Sequence, residues 1–212
     1  PDPVLDAAAV TNPSEVIATD VLFDGNATVE STLQFISRMK ERGVLGKYQL
    51  MAVPQGRSVE EWWTCLEKLH AMPEVDTIGL SKLSVPMSWL GEKESNGNCA
   101  RSRIMITELI NKRIPNIKPV HLLGGDNWTP WEMEQQVIYP WIRSNDSSCA
   151  VWYGAHQKVF DKEGKINEII MEKPDLENNN DVTKWLLESQ SGGSTVKECI
   201  LENIVKWHMA CK

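Results

Sequence analysis

The sequence predicts an α/β fold built from parallel strands that alternate with helices. Five strand–helix alternations follow one another along the chain, which is the order expected of β/α units. Consecutive strands lie roughly 30 to 40 residues apart, enough for the crossover that a parallel pair requires. A closed (β/α)8 barrel has about 250 residues, whereas this chain has 212. We therefore expect an incomplete or modified TIM-type barrel or an open doubly wound sheet, in a single β/α domain over residues 1–212.

The first half of the chain contains two complete β/α units. Its helices are recognised by apolar residues at helical spacing and by their ends, since Gly43 stops one helix and Ser58 with Glu61 forms a capping box at the start of the next. The predicted elements are a short helix over Leu5–Val10, a strand over Glu15–Phe23, a helix over Ala27–Gly43, a strand over Lys47–Val53 and a helix over Ser58–Met72.

The second half continues the alternation and then changes character. Thr129, Pro130 and Glu132 have the residue types of a helix N-terminus, and an acidic, Asn-rich loop separates a hairpin from two closing helices. The predicted elements are strands over Val75–Val85 or part of it, Lys118–Gly125 and Cys149–Tyr153, helices over Cys99–Arg113 and from Thr129, a hairpin over Lys158–Asn167, a loop over Pro174–Asp181, and helices over Asp181–Glu188 and Thr195–Ala210.

Composition narrows the class of protein. Hydrophobic residues make up 42% and charged residues 24%, as in ordinary globular proteins. The net charge of −7 argues against a broad nucleic-acid surface, which would be basic, although a local basic patch is compatible with it. No segment reaches the roughly 18 apolar residues of a membrane span. Five cysteines without a Cys-x-x-Cys pair indicate reduced thiols in a cytoplasmic protein. Nine tryptophans are interpreted mainly as core and helix-face residues.

Polar residues or glycines stand at the end of every predicted strand. Ligands of parallel α/β folds bind at these carboxyl ends. A carboxylate and an amide together can read the edge of a planar heterocycle, glycines let a ligand approach the backbone, and a second carboxylate can act as nucleophile or base. The residues concerned are Asp20, Gln55 and Gly56, Ser81 and Lys82, Gly124 and Gly125 with Asp126, and Asp146.

Asp146 belongs to a polar segment, Arg143–Ser148, that precedes a short apolar run ending in Gly154. Ser-Asn-Asp-Ser-Ser is also ordinary turn composition. Its place in the series of strand ends, on the loop entering the predicted fifth strand, makes Asp146 the best candidate for chemistry.

Several segments, taken in order, resemble the tRNA-guanine transglycosylase superfamily, in particular its phage and bacterial relatives that act on 7-deazaguanine bases in DNA. The resemblance covers residues 15–170, and residues 171–212 form a C-terminal loop and helices outside it. The segments are Val16–Asp20, Ala52–Gly56 (the family's Val-Gln-Gly), Ile78–Leu80 with Leu83–Val85, His121–Gly125 with Thr129–Glu132 (the family's Leu-x-Gly and Thr-Pro-Glu), Asp146 at the position of the nucleophilic Asp, and the hairpin Val159–Asn167.

The resemblance implies an enzyme acting on a glycosyl bond, without a cofactor, in the cytoplasm and, for a phage protein, in that of the host. Its partner would be a guanine-like base or nucleotide, free or in DNA or tRNA. Asp146 would attack the anomeric carbon or stabilise an oxocarbenium-like centre. The remaining site residues would bind the ligand: Asp20, Gln55 and Gly56 the base, Gly124 and Gly125 the base or sugar, and Lys82 or Arg143 a phosphate or Asp146 itself. The general base is unassigned, with Asp126 and His156 as candidates.

The sequence also departs from the family. It has no counterpart of the first barrel strands, with their second catalytic Asp, or of the three-Cys-and-His zinc site. The spacing of Cys199, His208 and Cys211 fits no standard structural metal site, so no metal is expected. A non-catalytic nucleobase binder is therefore an alternative. Another is the later part of a longer enzyme, since the chain opens at Pro1 rather than Met. Open sheet edges would call for a partner chain or a homo-oligomer.

Overall fold

The computed structural model describes residues 1–92, 98–125, 129–155, 158–160, 166–168 and 194–210. Within these ranges the helices are α1 (Asp2–Thr11), α2 (Gly25–Glu41), α3 (Val59–Ala71), α4 (Ser84–Leu90), α5 (Asn98–Arg113), α6 (Thr129–Ile138), α7 (Cys149–Ala155) and α8 (Ser194–Ala210). The strands are β1 (Glu15–Ile17), β2 (Gln49–Ala52), β3 (Thr77–Ser81), β4 (Val120–Leu123), β5 (Ile142–Asn145), β6 (Lys158–Phe160) and β7 (Ile166–Glu168). None of the helices in these ranges combines the length and the apolar character needed to cross a membrane.

Strands β1 to β5 form one parallel sheet in the order in which they occur in the chain. The predicted α/β class and parallel sheet are confirmed. A doubly wound sheet reverses its strand order at a switch point, and no reversal occurs among these five strands, so the doubly wound alternative does not apply to them. Strands β6 and β7 pair antiparallel and confirm the predicted hairpin. Its turn, the loop over Pro174–Asp181 and the helix over Asp181–Glu188 lie outside the described residues.

Every second side chain along the strands faces a layer of helices and is buried between the sheet and that layer. Successive right-handed crossovers in a sheet without reversal place their helices on one face, and α2, α3, α4, α5 and α6 contact one another in that order. The core between sheet and helices is built from fully buried apolar side chains. It includes Leu50, Ile78, Leu80, Val120 and Ile142 from the strands and Phe35, Met39, Trp62, Leu66, Leu69, Ile106 and Ile110 from the helices.

The opposite face of the sheet is concave. The guanidinium of Arg143 on β5 bonds the carboxylate of Glu15 on β1, with 2.8 Å between Nη2 and Oε2. Thr77 on β3 lies between them, donating to Glu15 at 2.6 Å and accepting from Arg143 at 3.1 Å. In a flat sheet β1 and β5 would be roughly 19 Å apart, farther than these two side chains reach together. The sheet therefore curves around this polar contact.

Three predicted strands have clearly different bounds. The first, predicted over Glu15–Phe23, ends at Ile17, so Asp20 lies on the loop that follows it. The predicted fifth strand over Cys149–Tyr153 is wrong, because these residues open helix α7 and the strand lies earlier, at Ile142–Asn145. Ser147 Oγ accepts the N–H of Cys149, as an N-cap does, and a short apolar run does not distinguish a strand from a helix. The predicted third strand stops at Ser81, whose hydroxyl accepts two N–H groups at the start of α4.

A buried ion pair joins two helices to the carboxyl end of the sheet. Arg103 on α5 and Glu132 on α6 are each 1% exposed and form two bonds, Nε–Oε1 of 2.5 Å and Nη2–Oε2 of 2.9 Å. Arg103 Nη1 also donates to the carbonyls of Leu80 and Leu123, at 3.0 and 2.8 Å. These are near the ends of β3 and β4, so this one guanidinium sets the position of two strand ends.

We predict that Glu132→Ala lowers the free energy of unfolding by about 3–5 kcal/mol, because it removes the carboxylate that neutralises the buried Arg103 charge. Urea denaturation followed by circular dichroism measures the change. The control is Glu108→Ala, which removes the exposed pair with Lys112 and should leave the midpoint unchanged. Equal shifts for the two variants would contradict a structural role for the buried pair.

Candidate functional site

The carboxyl ends of the five parallel strands bring predicted site residues to one edge of the curved sheet. The move of β5 to Ile142–Asn145 places Asp146 directly after the strand. Asp146 therefore occupies a strand end in the same sense as Asp20, Gln55, Lys82 and Gly124, rather than lying on a loop that enters a strand.

Asp146 is held through one of its two carboxylate oxygens. Oδ1 accepts the backbone N–H of Gly124 at 2.9 Å and lies 3.0 Å from His121 Nε2. The backbone around it is also fixed, since the N–H of Gly125 donates to the Asp146 carbonyl at 2.7 Å. Within the described part of the chain, Oδ2 has no hydrogen-bond partner, and 59% of the side chain is exposed. The arrangement anchors one oxygen and presents the other to a ligand.

The electrostatics keep this carboxylate charged. The hydrogen bond from His121 is the largest cause of a lowered pKa for Asp146; the N–H of Gly124 lowers the pKa further, and partial burial opposes both. A lowered pKa means that Asp146 is ionised at neutral pH. An ionised, partly exposed carboxylate can act as a nucleophile or stabilise a developing positive charge.

His121 is a site residue that our sequence analysis did not identify as one. It lies on β4 between the core residues Val120 and Leu122 and therefore points to the concave face. A single polar residue inside an otherwise apolar strand was the available signal. The candidates considered for the general base, Asp126 and His156, lie outside the described residues.

Lys82 and Gly124 are packed against each other beside Asp146. A Cβ added at Gly124 would come within 2.7 Å of Lys82 Cδ, and the φ of Gly124 is +68°, a conformation that favours glycine. Lys82 is exposed and forms no ion pair with the described residues. Its ammonium is thus a cation at the strand ends that is available to a ligand anion.

Asp20 and Gln55 contact each other on the other side of the edge. Gln55 is 1% exposed; its Nε2 donates to Asp20 Oδ2, and its Oε1 accepts the N–H of Phe23 at 3.1 Å. Gln55 thus fixes the orientation of the exposed Asp20 carboxylate. Gly56 has a packing role, because a Cβ there would lie 2.6 Å from the backbone nitrogen of Trp62.

Arg143 lies away from the strand-end residues. Its guanidinium is paired with Glu15 near the amino ends of the strands. It therefore does not lie where a phosphate bound beside Asp146 would be. It is connected to Asp146 only indirectly, because Arg143 Nε donates to Ser144 Oγ at 3.3 Å and Ser144 Oγ lies 2.8 Å from His121 Nδ1.

No protein-family model matches the chain, and no curated protein matches its sequence. Among the residues with described positions, no three His, Cys, Asp or Glu side chains are grouped so that they could hold a metal ion.

We predict that His121→Phe raises the pKa of Asp146 towards its ordinary value of about 3.9, because the largest cause of the lowered pKa is removed. In the unsubstituted chain, ionised Asp146 stabilises the fold above that ordinary value, and the stabilisation is lost as the pH falls through the lowered pKa. The variant loses this contribution. Carboxyl carbon NMR titration measures the pKa.

Asp2, whose pKa is lowered by Arg38 far from the site, is the internal control for this titration and should not change. An unchanged pKa for Asp146 in His121→Phe would show that the imidazole does not hold the carboxylate in its charged form.

Proposed function

We propose that this protein acts on the N-glycosidic bond of a guanine- or 7-deazaguanine-type nucleoside unit, with Asp146 as the nucleophile. The observation that carries the proposal is the state of the Asp146 carboxylate. Two donors hold Oδ1, while Oδ2 is unbonded within the described chain and exposed at the ends of the strands.

The proposed step begins with attack of Asp146 Oδ2 on the anomeric carbon of the sugar. The new C–O bond forms as the C–N bond to the base breaks, and the electron pair of that bond leaves with the base. The departing base takes up a proton. A second base or water then displaces the carboxylate, restores Asp146 and releases one proton, so that protons balance over the cycle. The donors on Oδ1 support this role because they favour the ionised form before attack and after release.

Base recognition is assigned to Asp20, positioned by Gln55. A carboxylate accepts hydrogen bonds only, and the edge of a guanine-type base presents adjacent N–H donors. The buried amide of Gln55 holds Asp20 from below. Lys82 is assigned to a phosphate of the nucleotide, because it is exposed and its methylene chain packs against Gly124, whose N–H bonds Asp146. Gly124 and Gly125 form the backbone surface on which sugar or base would lie.

The barrel interpretation belongs to the same proposal. Strands in chain order and a concave inner face support a TIM-type wall that the five strands complete only in part. Further strands, from a partner chain or a second copy, would then pair beside β1 or β5. This proposal also includes membership of the transglycosylase superfamily, a phage origin, a cytoplasmic location and a DNA or tRNA substrate.

We predict that Asp146→Asn lowers base exchange by about 10³-fold or more, since it removes the nucleophile. The assay incubates guanine-containing DNA, or tRNA, with radiolabelled guanine or 7-deazaguanine and measures the label in the polymer. The control Asp6→Asn changes an exposed carboxylate that pairs with Arg42 on the far side of the fold and should retain full activity. Full activity of Asp146→Asn would refute the assignment.

A nucleobase binder without turnover is the second candidate function. It is supported by Asp20, whose exposed carboxylate is oriented by the buried Gln55 and can accept hydrogen bonds from a base whether or not Asp146 attacks the sugar. Calorimetry with guanine and with its 5′-monophosphate separates the two. Tight binding together with the absence of any base exchange or hydrolysis would favour the binder.

A further inference from the structure

A line of side chains runs up the concave face from Arg143 to Asp146. Arg143 Nε donates to Ser144 Oγ at 3.3 Å, Ser144 Oγ lies 2.8 Å from His121 Nδ1, and His121 Nε2 lies 3.0 Å from Asp146 Oδ1. We infer that Arg143 and Ser144 are positioning residues, which fix His121 with its proton on Nε2 and so keep Asp146 Oδ1 as an acceptor. The consequence for catalysis rests on the proposed function, whereas the placement of the proton does not.

The donors and acceptors along the line determine where the His121 proton lies. Arginine can only donate, so Ser144 Oγ is an acceptor towards Arg143. The hydroxyl proton of Ser144 then needs an acceptor of its own, and His121 Nδ1 is the one that the structure places within reach. A neutral imidazole that accepts at Nδ1 carries its proton on Nε2, where Asp146 accepts it. This arrangement satisfies every group in the line.

The opposite tautomer fails at two points. With the proton on Nδ1, the lone pair of His121 Nε2 would face the Asp146 carboxylate at 3.0 Å, and the Ser144 proton would lose its acceptor. Partly buried polar groups that lack partners cost roughly as much as a lost hydrogen bond. Each group in the line therefore donates a hydrogen bond to the next, from Arg143, which can only donate, to the Asp146 carboxylate, which can only accept.

The direction also argues against a serine nucleophile. A Ser-His-Asp triad buries its aspartate and presents the serine to substrate. Here the order is reversed, because Asp146 is the exposed end, with 59% of its side chain accessible, and Ser144 lies beneath the imidazole beside Arg143. The charges that face the imidazole fit the same reading: Asp146 is on one side, and the Arg143–Glu15 pair is on the other.

The test replaces Asp146, which accepts the Nε2 proton, and measures whether Ser144 and Arg143 still hold the His121 proton on Nε2. In Asp146→Ala, long-range nitrogen–proton NMR spectra at neutral pH measure the ratio of the Nε2–H form of His121 to the Nδ1–H form. This ratio should be roughly tenfold higher than in the urea-unfolded chain, a difference that one hydrogen bond sustains. The double variant Asp146→Ala with Ser144→Ala should fall to the unfolded ratio. The His121→Phe variant identifies the resonances among the four histidines.

Ser144→Thr in the Asp146→Ala background is the matched control, because it keeps the hydroxyl and should keep the excess. Arg143→Met in that background should reduce it, since the hydroxyl loses its fixed donor. An unfolded ratio in Asp146→Ala alone, or an excess that survives Ser144→Ala, would overturn the inference. Circular dichroism confirms that each variant is folded.

A second measurement does not depend on removing Asp146. In the otherwise unchanged chain, Ser144→Ala frees one side of the ring, so the His121 Nε2 proton should exchange with water at least tenfold faster, a difference that the loss of one hydrogen bond produces. If base exchange is observed, Ser144→Ala should lower kcat with little change in KM, and Ser144→Thr should restore it. Proton placement as inferred without any base exchange would refute the proposed function alone.

Discussion

The buried pair of Arg103 and Glu132 is the interaction on which the geometry of the strand ends depends. A charge that is 1% exposed is tolerated only when hydrogen bonds compensate for the lost water, and Arg103 Nη1 also donates to the carbonyls of Leu80 and Leu123. The residue after Leu123 is Gly124, whose N–H holds Asp146. A contact in the helical layer thus sets the position of the candidate nucleophile on the other side of the sheet.

A second arginine organises the concave face. Arg143 links β5 to Glu15 on β1 and, through Ser144, to the ring of His121. The same guanidinium therefore bends the sheet and supports the site. Both arginines bond inside the fold, whereas Lys82 is exposed and forms no ion pair with the residues that the structure describes.

Patterns of local origin predicted the larger part of the fold. Helices such as α3 were recognisable from caps and apolar spacing, and the Glu61 N–H donates to the Ser58 hydroxyl as the cap requires. The fifth strand was misplaced because the apolar run after Ser147 is compatible with either structure, and the choice depends on a hydroxyl that caps α7. His121 escaped notice for a similar reason, because its importance comes from a partner 25 residues away.

The sequence by itself determined the β/α alternation, the approximate limits of α2, α3 and α5 and the polar character of the strand ends, because these follow from the periodicity and chemistry of neighbouring residues. Only the tertiary structure decided which of those polar residues act together. It joined Asp146 to His121, assigned Arg143 to Glu15 and paired Arg103 with Glu132. Such contacts depend on strand register and sheet curvature, which are set by packing between segments far apart in the chain.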